Sequence, residues 1–358
     1  MSSSLIAREP TRTRVAGLDS IRFICALWVL FGHFGFIPVF ASFDNSSLIR
    51  QAIHGIYNNT FSGPAAVIVF FVISGFCIHF PFREKEPPSW RLYYVRRYVR
   101  ILPPMLAAII LARVLKIRLP IFHESILWSL ICEEIYYALY PLLRHARRFV
   151  TWDLLILMAY GASLLLILFR SHDKNYPSFG PFYNWILGLP CWLLGCRLAE
   201  RFDAERPIRL STGRMNALRL GIWFLSWCAS VARFHSPIGY PVTLNLFAIA
   251  AAYWLSWEIQ FFSLHRPYRL LEWAGRWSYS LYLFHVLGNE LFNSIFGTST
   301  SGMKNWVLRT FWILASSYVF YLLVERPTHR LARRLTTTKA QTLSGLKGPP
   351  TEARASRA

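Results

Sequence analysis

Charge is scarce in this chain. Only 16% of its 358 residues are charged, where a soluble domain carries about 25%. Acidic residues are the scarcest, 18 Asp and Glu against 39 Lys and Arg, for a net charge of +21. In a soluble protein that excess would point to nucleic acid. Here the basic residues stand between apolar segments, where they set topology and meet anionic lipid headgroups, so no nucleic-acid partner is expected. Cysteine is sparse too. Cys25, Cys77, Cys132, Cys191, Cys196 and Cys228 all fall inside apolar segments. They have neither disulfide-framework nor metal-ligand spacing and read as small buried hydrophobes, so no metal is expected. No small-residue cleavage site follows the first apolar run, 18–40, although Arg8, Arg12 and Arg14 precede it. The run therefore reads as an uncleaved helix and not as a signal peptide. Neither a repeated half nor a second soluble domain stands out.

What is abundant is apolar. Hydrophobic residues make up 54% and aromatic residues 16%, with 14 Trp, 17 Tyr and 28 Phe, the types that end helices at membrane interfaces. A span requires about 20 mostly apolar residues. The segments 18–40, 61–82, 101–119, 126–143, 151–169, 182–198, 217–234, 241–262, 277–295 and 305–324 approach that pattern. The expected fold is all-α, a polytopic integral membrane bundle of about ten transmembrane helices. A short tail would occupy 1–16, the helical domain 17–335 and a disordered tail 336–358, where the sequence turns polar. About 29 of the 39 basic residues lie in the tails and the even-numbered loops, which puts both termini in the cytoplasm. The longest loop of the opposite side covers 37–60.

Polar groups inside spans are costly and mark candidate sites. The first span carries Asp19, Arg22 and His33. Arg22 and His33 are eleven residues apart, three turns plus roughly 20°, so they share a face. Asp19 lies one turn before Arg22 and can pair with it. The bland readings are an interface anchor for Asp19 and Arg22 and a packing hydrogen bond for His33; the shared stripe tips His33 toward function. At the mouth of the third span Arg97 and Arg100 stand one turn apart. They can grip phosphate bidentately, yet alone they read as ordinary boundary residues. In the fourth span Glu133 and Glu134 are adjacent and point about 100° apart, so at most one squarely lines a shared cavity. In the ninth, Ser278, Tyr282 and His285 fall on one stripe, either a site or a hydrogen-bonded packing seam. Glu325 and Arg326 read as an interface pair ending the last span.

In order along the chain stand GLDSIRF and GHF, FFVISGFCI, YYVRRYVRILPP, LWSLICEEIYYALYPLL, RWSYSLYLFH and VERP. Over 17–334 this set resembles the membrane-bound acyltransferase-3 family. The resemblance implies about ten spans with both ends cytoplasmic. It implies transfer of an acyl group, most often acetyl, from cytoplasmic acyl-coenzyme A to a hydroxyl, usually of a cell-surface carbohydrate or glycolipid. It carries the family's essential Arg and His onto Arg22 and His33, and its RxxR motif onto Arg97 and Arg100. Its paired-glutamate stretch falls on Ser129, Glu133, Glu134 and Tyr137, and its late segment on 279–285, with Tyr282 and His285. Two departures stand out: Ile135 replaces the usual Gln, and Val286, Leu287 and Gly288 follow His285 where a Pro is common.

The expected protein is thus an O-acyltransferase of the bacterial inner membrane. Acyl-coenzyme A would be its co-substrate, with no tightly bound cofactor, and membrane lipids and a carbohydrate or glycolipid acceptor its partners. His33 would serve as general base or as transient acyl carrier. Arg97 and Arg100 would hold the coenzyme phosphates, Arg22 and Asp19 would shape the lower channel, and Glu133 or Glu134 would orient His33. The competing class is a transporter or flippase of lipid-linked sugars, for which repeated halves and broken helices would speak.

Overall fold

The structure, a computed structural model, describes residues 15–35, 38, 48–84, 86–87, 89–117, 127–203, 209–235, 238–297 and 302–345. Among them there is no strand. Helix α1 covers Leu18–Phe34, α2 Leu48–Asn58, α3 Gly63–His79, α4 Trp90–Val114, α5 Leu127–Ala146, α6 Trp152–Phe169 and α7 Asn184–Arg201. Then follow α8 Thr212–His235, α9 Tyr240–Leu264, α10 Arg269–Gly275, α11 Ser278–Phe296, α12 Met303–Phe320 and α13 Arg326–Gly345.

Helix α3 is apolar all round and buried along nearly its whole length, the mark of a central helix. Ser62 starts it by accepting the amide of Ala65, and Pro64 sits in its first turn, where a missing N–H costs nothing. It packs closest against α7, because each presents a glycine to the other. A Cβ on Gly75 would lie 1.9 Å from the carbonyl oxygen of Trp192, and one on Gly195 would lie 2.0 Å from that of Val72. Helix α6 shows the opposite pattern: Thr151 caps it, and Leu157, Met158, Leu164, Leu165 and Leu168 point outward as an apolar face suited to lipid. Arg219 of α8 holds the buried Glu258 of α9 through two bonds, Nε to Oε1 at 2.7 Å and Nη2 to Oε2 at 2.9 Å, the fork that arginine offers a carboxylate.

Each of the ten apolar segments contains a helix. Among the described residues four stretches are long and apolar enough to cross a membrane: Gln51–Phe82, which holds α3, then Trp152–Phe169, Tyr240–Leu264 and Met303–Leu335. The others carry the polar groups: the α1 stripe, the arginines of α4, and the paired glutamates of α5. Buried polar groups dilute apolarity in helices that line an interior.

Several boundaries differ from expectation. The helix of the third apolar segment begins at Trp90, not at 101, so Arg91 to Arg100 belong to a helix and not to a loop; nothing between Ser89 and Pro103 breaks it. The helical path after α12 passes through a π-turn, Tyr321–Glu325, into α13, which packs along α4 and runs beyond 335. Of the 37–60 loop, 37 and 39–47 lie outside the described residues, as do 1–14 and 346–358. Of the rest, Leu48–Asn58 forms α2, with Leu48, Ile49, Ile53 and Ile56 exposed on one side. The indoles of Trp223 and Trp227 on α8 donate to the carbonyls of Thr60 and Ile56 at 3.0 and 3.1 Å.

Gly195→Ala forces α3 and α7 apart, and overpacking of this kind costs about 1–3 kcal/mol. Gly161 meets open space, so Gly161→Ala in α6 should stabilise by up to about 1 kcal/mol. Unfolding titrations in mixed micelles check both signs.

Candidate active site

The site is built outward from α1. Gly17, at φ +86, turns the chain into the helix. Glu272 of α10 then caps the turn: its Oε1 accepts the amides of Gly17 and Ser20, both at 3.1 Å, and the Ser20 hydroxyl at 2.8 Å. That satisfies donors a helix start leaves open. Gly275 permits the approach, since a Cβ there would lie 2.0 Å from the Asp19 carbonyl oxygen. Helix α1 is thereby fixed at the level of Asp19 and Arg22, which stand 3.9 Å apart, Oδ1 to Nη1.

Arg22 and Asp19 open on a cavity of about 1820 Å³. Helix α4 adds Arg96, Arg97 and Arg100, α13 adds Arg326, Arg330 and Arg333, and Arg83 and Arg276 complete nine arginines against six Asp and Glu. The cavity is therefore a positive chamber. The guanidinium of Arg97 lies over the rings of Tyr93 and Tyr137, at 5.9 and 5.8 Å, and its Nε is buried without a partner. Arg100 Nε donates to His329 Nε2 at 3.0 Å. Glu325 Oε1 stands 3.4 Å from the same nitrogen. Its Oε2 accepts the amide and hydroxyl of Ser280 at 3.1 and 2.5 Å. Glu325 is only 1% exposed, so it is a buried tie from α11 to α13 and not an interface pair with Arg326.

Deeper in, Ser129 and Tyr282 line the same cavity and share a 2.6 Å hydrogen bond across α5 and α11. Phe70 packs edge-on to Tyr282 at 5.8 Å. Behind Tyr282 lies a histidine pair. His285 is buried, and its Nδ1 is 2.6 Å from the Tyr282 carbonyl oxygen. A carbonyl only accepts, so Nδ1 carries the proton and Nε2 presents a lone pair, which is buried and unpartnered. The His33 ring stands 5.1 Å from the His285 ring, centroid to centroid, and is exposed. Neither histidine lines the arginine cavity.

The two glutamates diverge, as their adjacency requires. Glu133 lines the cavity and accepts from Tyr137 OH, whose oxygen is also 3.0 Å from Ser74 Oγ. Glu134 turns away, with both oxygens buried and unpartnered. Among the described residues no hydrogen bond joins either glutamate to His33; the group brought to His33 is His285. The arginines of α13 were hidden in the sequence by their likeness to ordinary boundary residues. Their one signal is spacing, since 326, 330 and 333 fall at i, i+4 and i+7 on a single helical face.

The model of the acyltransferase-3 family, described as an acyltransferase domain, matches residues 15–326. The chain belongs to this family. It is similar to the acyltransferase MdmB of Streptomyces mycarofaciens, with 23% identity over 389 aligned positions that cover 91% of this chain and 94% of that protein. No solved structure matches. The chain is thus a membrane acyltransferase, an enzyme that works on an acyl donor and an acceptor.

Glu325→Ala strands the Ser280 amide and hydroxyl, and each buried donor left unmade costs about 1–3 kcal/mol. The acyltransferase variant should unfold at clearly lower denaturant, while Glu325→Gln, which keeps an acceptor oxygen, should lose less than half as much.

Proposed function

We propose that this acyltransferase moves an acyl group, acetyl by family likeness, from acyl-coenzyme A to a hydroxyl of a cell-surface carbohydrate or glycolipid. In this reading the chain crosses a bacterial inner membrane about ten times with both termini cytoplasmic, and the arginine cavity faces the cytoplasm. The observation that carries it is the arrangement of two compartments around Tyr282: a chamber with nine arginines on one side, and the His33–His285 pair on the other.

Coenzyme A presents phosphates on a long flexible arm that ends in a thioester. Arginine is the residue suited to phosphate, through its planar fork of donors. Arg97 has a donor to spare, and Arg96, Arg330 and Arg333 surround it with charge. The cavity wall passes from arginines to Phe70, Phe71, Leu130 and Tyr282, which suits an apolar arm with a small polar end. Ser129 and Tyr282 close the inner end. A shift of the Tyr282 ring joins the compartments and leaves its hydroxyl free to donate to the thioester oxygen as negative charge develops there.

His33 takes the proton of the acceptor hydroxyl as its oxygen attacks the thioester carbonyl carbon. The carbon–sulfur bond breaks, and the protonated His33 returns that proton to the leaving sulfur. Acceptor and acyl donor give ester and thiol, with no other reactant. Attack by His33 itself, followed by transfer to the acceptor, has the same balance. His285, with its proton held on Nδ1, offers a lone pair to whichever proton or hydroxyl stands between the rings. Glu133 keeps Tyr137 in place beneath Arg97 and does not orient His33. Arg22 and Asp19 shape the cavity between the coenzyme and its reacting end. The transporter alternative has no counterpart in the family match and leaves this arrangement without use.

His33→Ala should abolish transfer, by at least 100-fold, with the protein present in the membrane at the normal amount; retention of most activity refutes the assignment. Arg97→Ala and Arg100→Ala should each weaken binding in a coenzyme A titration by about tenfold, the loss of one charge-assisted bond. Unchanged affinity would return both to the role of boundary residues.

A further inference from the structure

Beyond His285, helix α11 carries a row of polar side chains. His285, Asn289 and Asn293 fall at i, i+4 and i+8 on the stripe that begins at Tyr282. His285 Nε2, Asn289 Oδ1 and Asn293 Oδ1 are all buried and all unpartnered. Arg309 of α12, whose guanidinium lies over Phe292 at 5.4 Å, has a buried, unpartnered Nε as well. Asn289 is only 6% exposed.

This row is not the seam between α11 and α12. That seam is made by Gly288, which lies against Ser316 and Ile313, and by the Trp312 indole, which donates to the Gly288 carbonyl at 3.1 Å. Asn289 points about 100° away from Gly288. At the seam Ser316 Oγ donates to the Trp312 carbonyl of its own helix at 2.7 Å, while the buried Ser317 Oγ beside it is open. A polar atom buried without a bond costs about 1–3 kcal/mol. Successive members of one row left open in this way, starting at the reacting histidines, are better explained by a ligand than by packing.

We propose that the α11 face bearing His285, Asn289 and Asn293, with Arg309 at its far end, is the acceptor strip, and that it takes a carbohydrate. The chemistry of the open atoms names the class. Three acceptors in a row call for a molecule with several hydroxyl donors, and Arg309 adds a donor for an oxygen. At 1.5 Å rise per residue the row extends about 12 Å along the helix. A single-hydroxyl acceptor satisfies one of these atoms; a chain of sugar rings satisfies all. The strip leads away from the arginine cavity, so it brings the acceptor to the histidines from the side opposite the donor. The proposal rests on the acyl-transfer reading above and adds the residues that hold the acceptor.

The test uses membranes of producing cells as the acceptor source, with [14C]acetyl-coenzyme A as donor probe. Wild type, Asn289→Leu and the Asn289→Leu/Asn293→Leu pair are compared for ester-linked label in the carbohydrate fraction. Binding of acetyl-coenzyme A to each purified protein reports folding and the donor side. Label in carbohydrate should fall at least tenfold in both variants, with acetyl-coenzyme A affinity within twofold of wild type. Asn289→Ser, which restores an acceptor oxygen, should recover part of the loss and show a raised acceptor KM with near-normal kcat. Full labelling in folded variants overturns the strip, and is the result expected if only water fills these positions. Label confined to molecules without sugar overturns the carbohydrate assignment. A wild type that binds acetyl-coenzyme A but transfers no label anywhere refutes the acyl-transfer reading, and this inference with it.

Discussion

The cap that Glu272 places on α1 is the contact on which the site depends. Lipid cannot hydrogen-bond, so the end of the α1 stripe that bears Asp19 and Arg22 is stable only if the protein surrounds it. One carboxylate oxygen receives three donors at the start of α1, and Gly275 lets α10 come against Asp19. With its base fixed, α1 rises beside α3 and α11. The stripe then meets two different surroundings: Arg22 opens on the arginine chamber, and His33 reaches the buried His285 of α11. The same helix serves both compartments because its rise separates the two groups by about 16 Å.

Charge inside the chamber is held by a few specific bonds. Glu325 ties Ser280 of α11 to the His329 and Arg100 pair. Tyr93 and Tyr137 give the Arg97 guanidinium aromatic faces without neutralising it, and stacked arginine retains its full donor set for phosphate. Fewer carboxylates than guanidiniums leave the chamber positive, which suits an anionic donor. The wall beyond it becomes apolar, with Phe70, Phe71 and Leu130.

The helical fold was legible because runs of apolar residues have no other stable form in a membrane. The α1 stripe was legible too, since the eleven-residue spacing of Arg22 and His33 places them on one face in any straight helix. The divergence of Glu133 and Glu134 followed from adjacency alone. The partner of His33 was not, because pairing α1 with α11 is a tertiary fact across 252 residues that helical periodicity cannot carry. The start of α4 at Trp90 was missed because arginines read as a loop when hydropathy is the guide. The α13 arginines were missed because positive charge at a membrane boundary has an ordinary explanation. Asn289 and Asn293 drew no attention in sequence, since an asparagine in a span is unremarkable until its partners can be sought.

The central claim is that donor and acceptor reach His33 from opposite faces. Sealed vesicles with the protein in one known orientation test it directly, with acetyl-coenzyme A, which does not cross the bilayer, supplied only on the face that carries α13. The account predicts ester-linked acetyl on carbohydrate of the opposite face, and none when the donor is supplied there instead. Label appearing on the same face as the donor would contradict it.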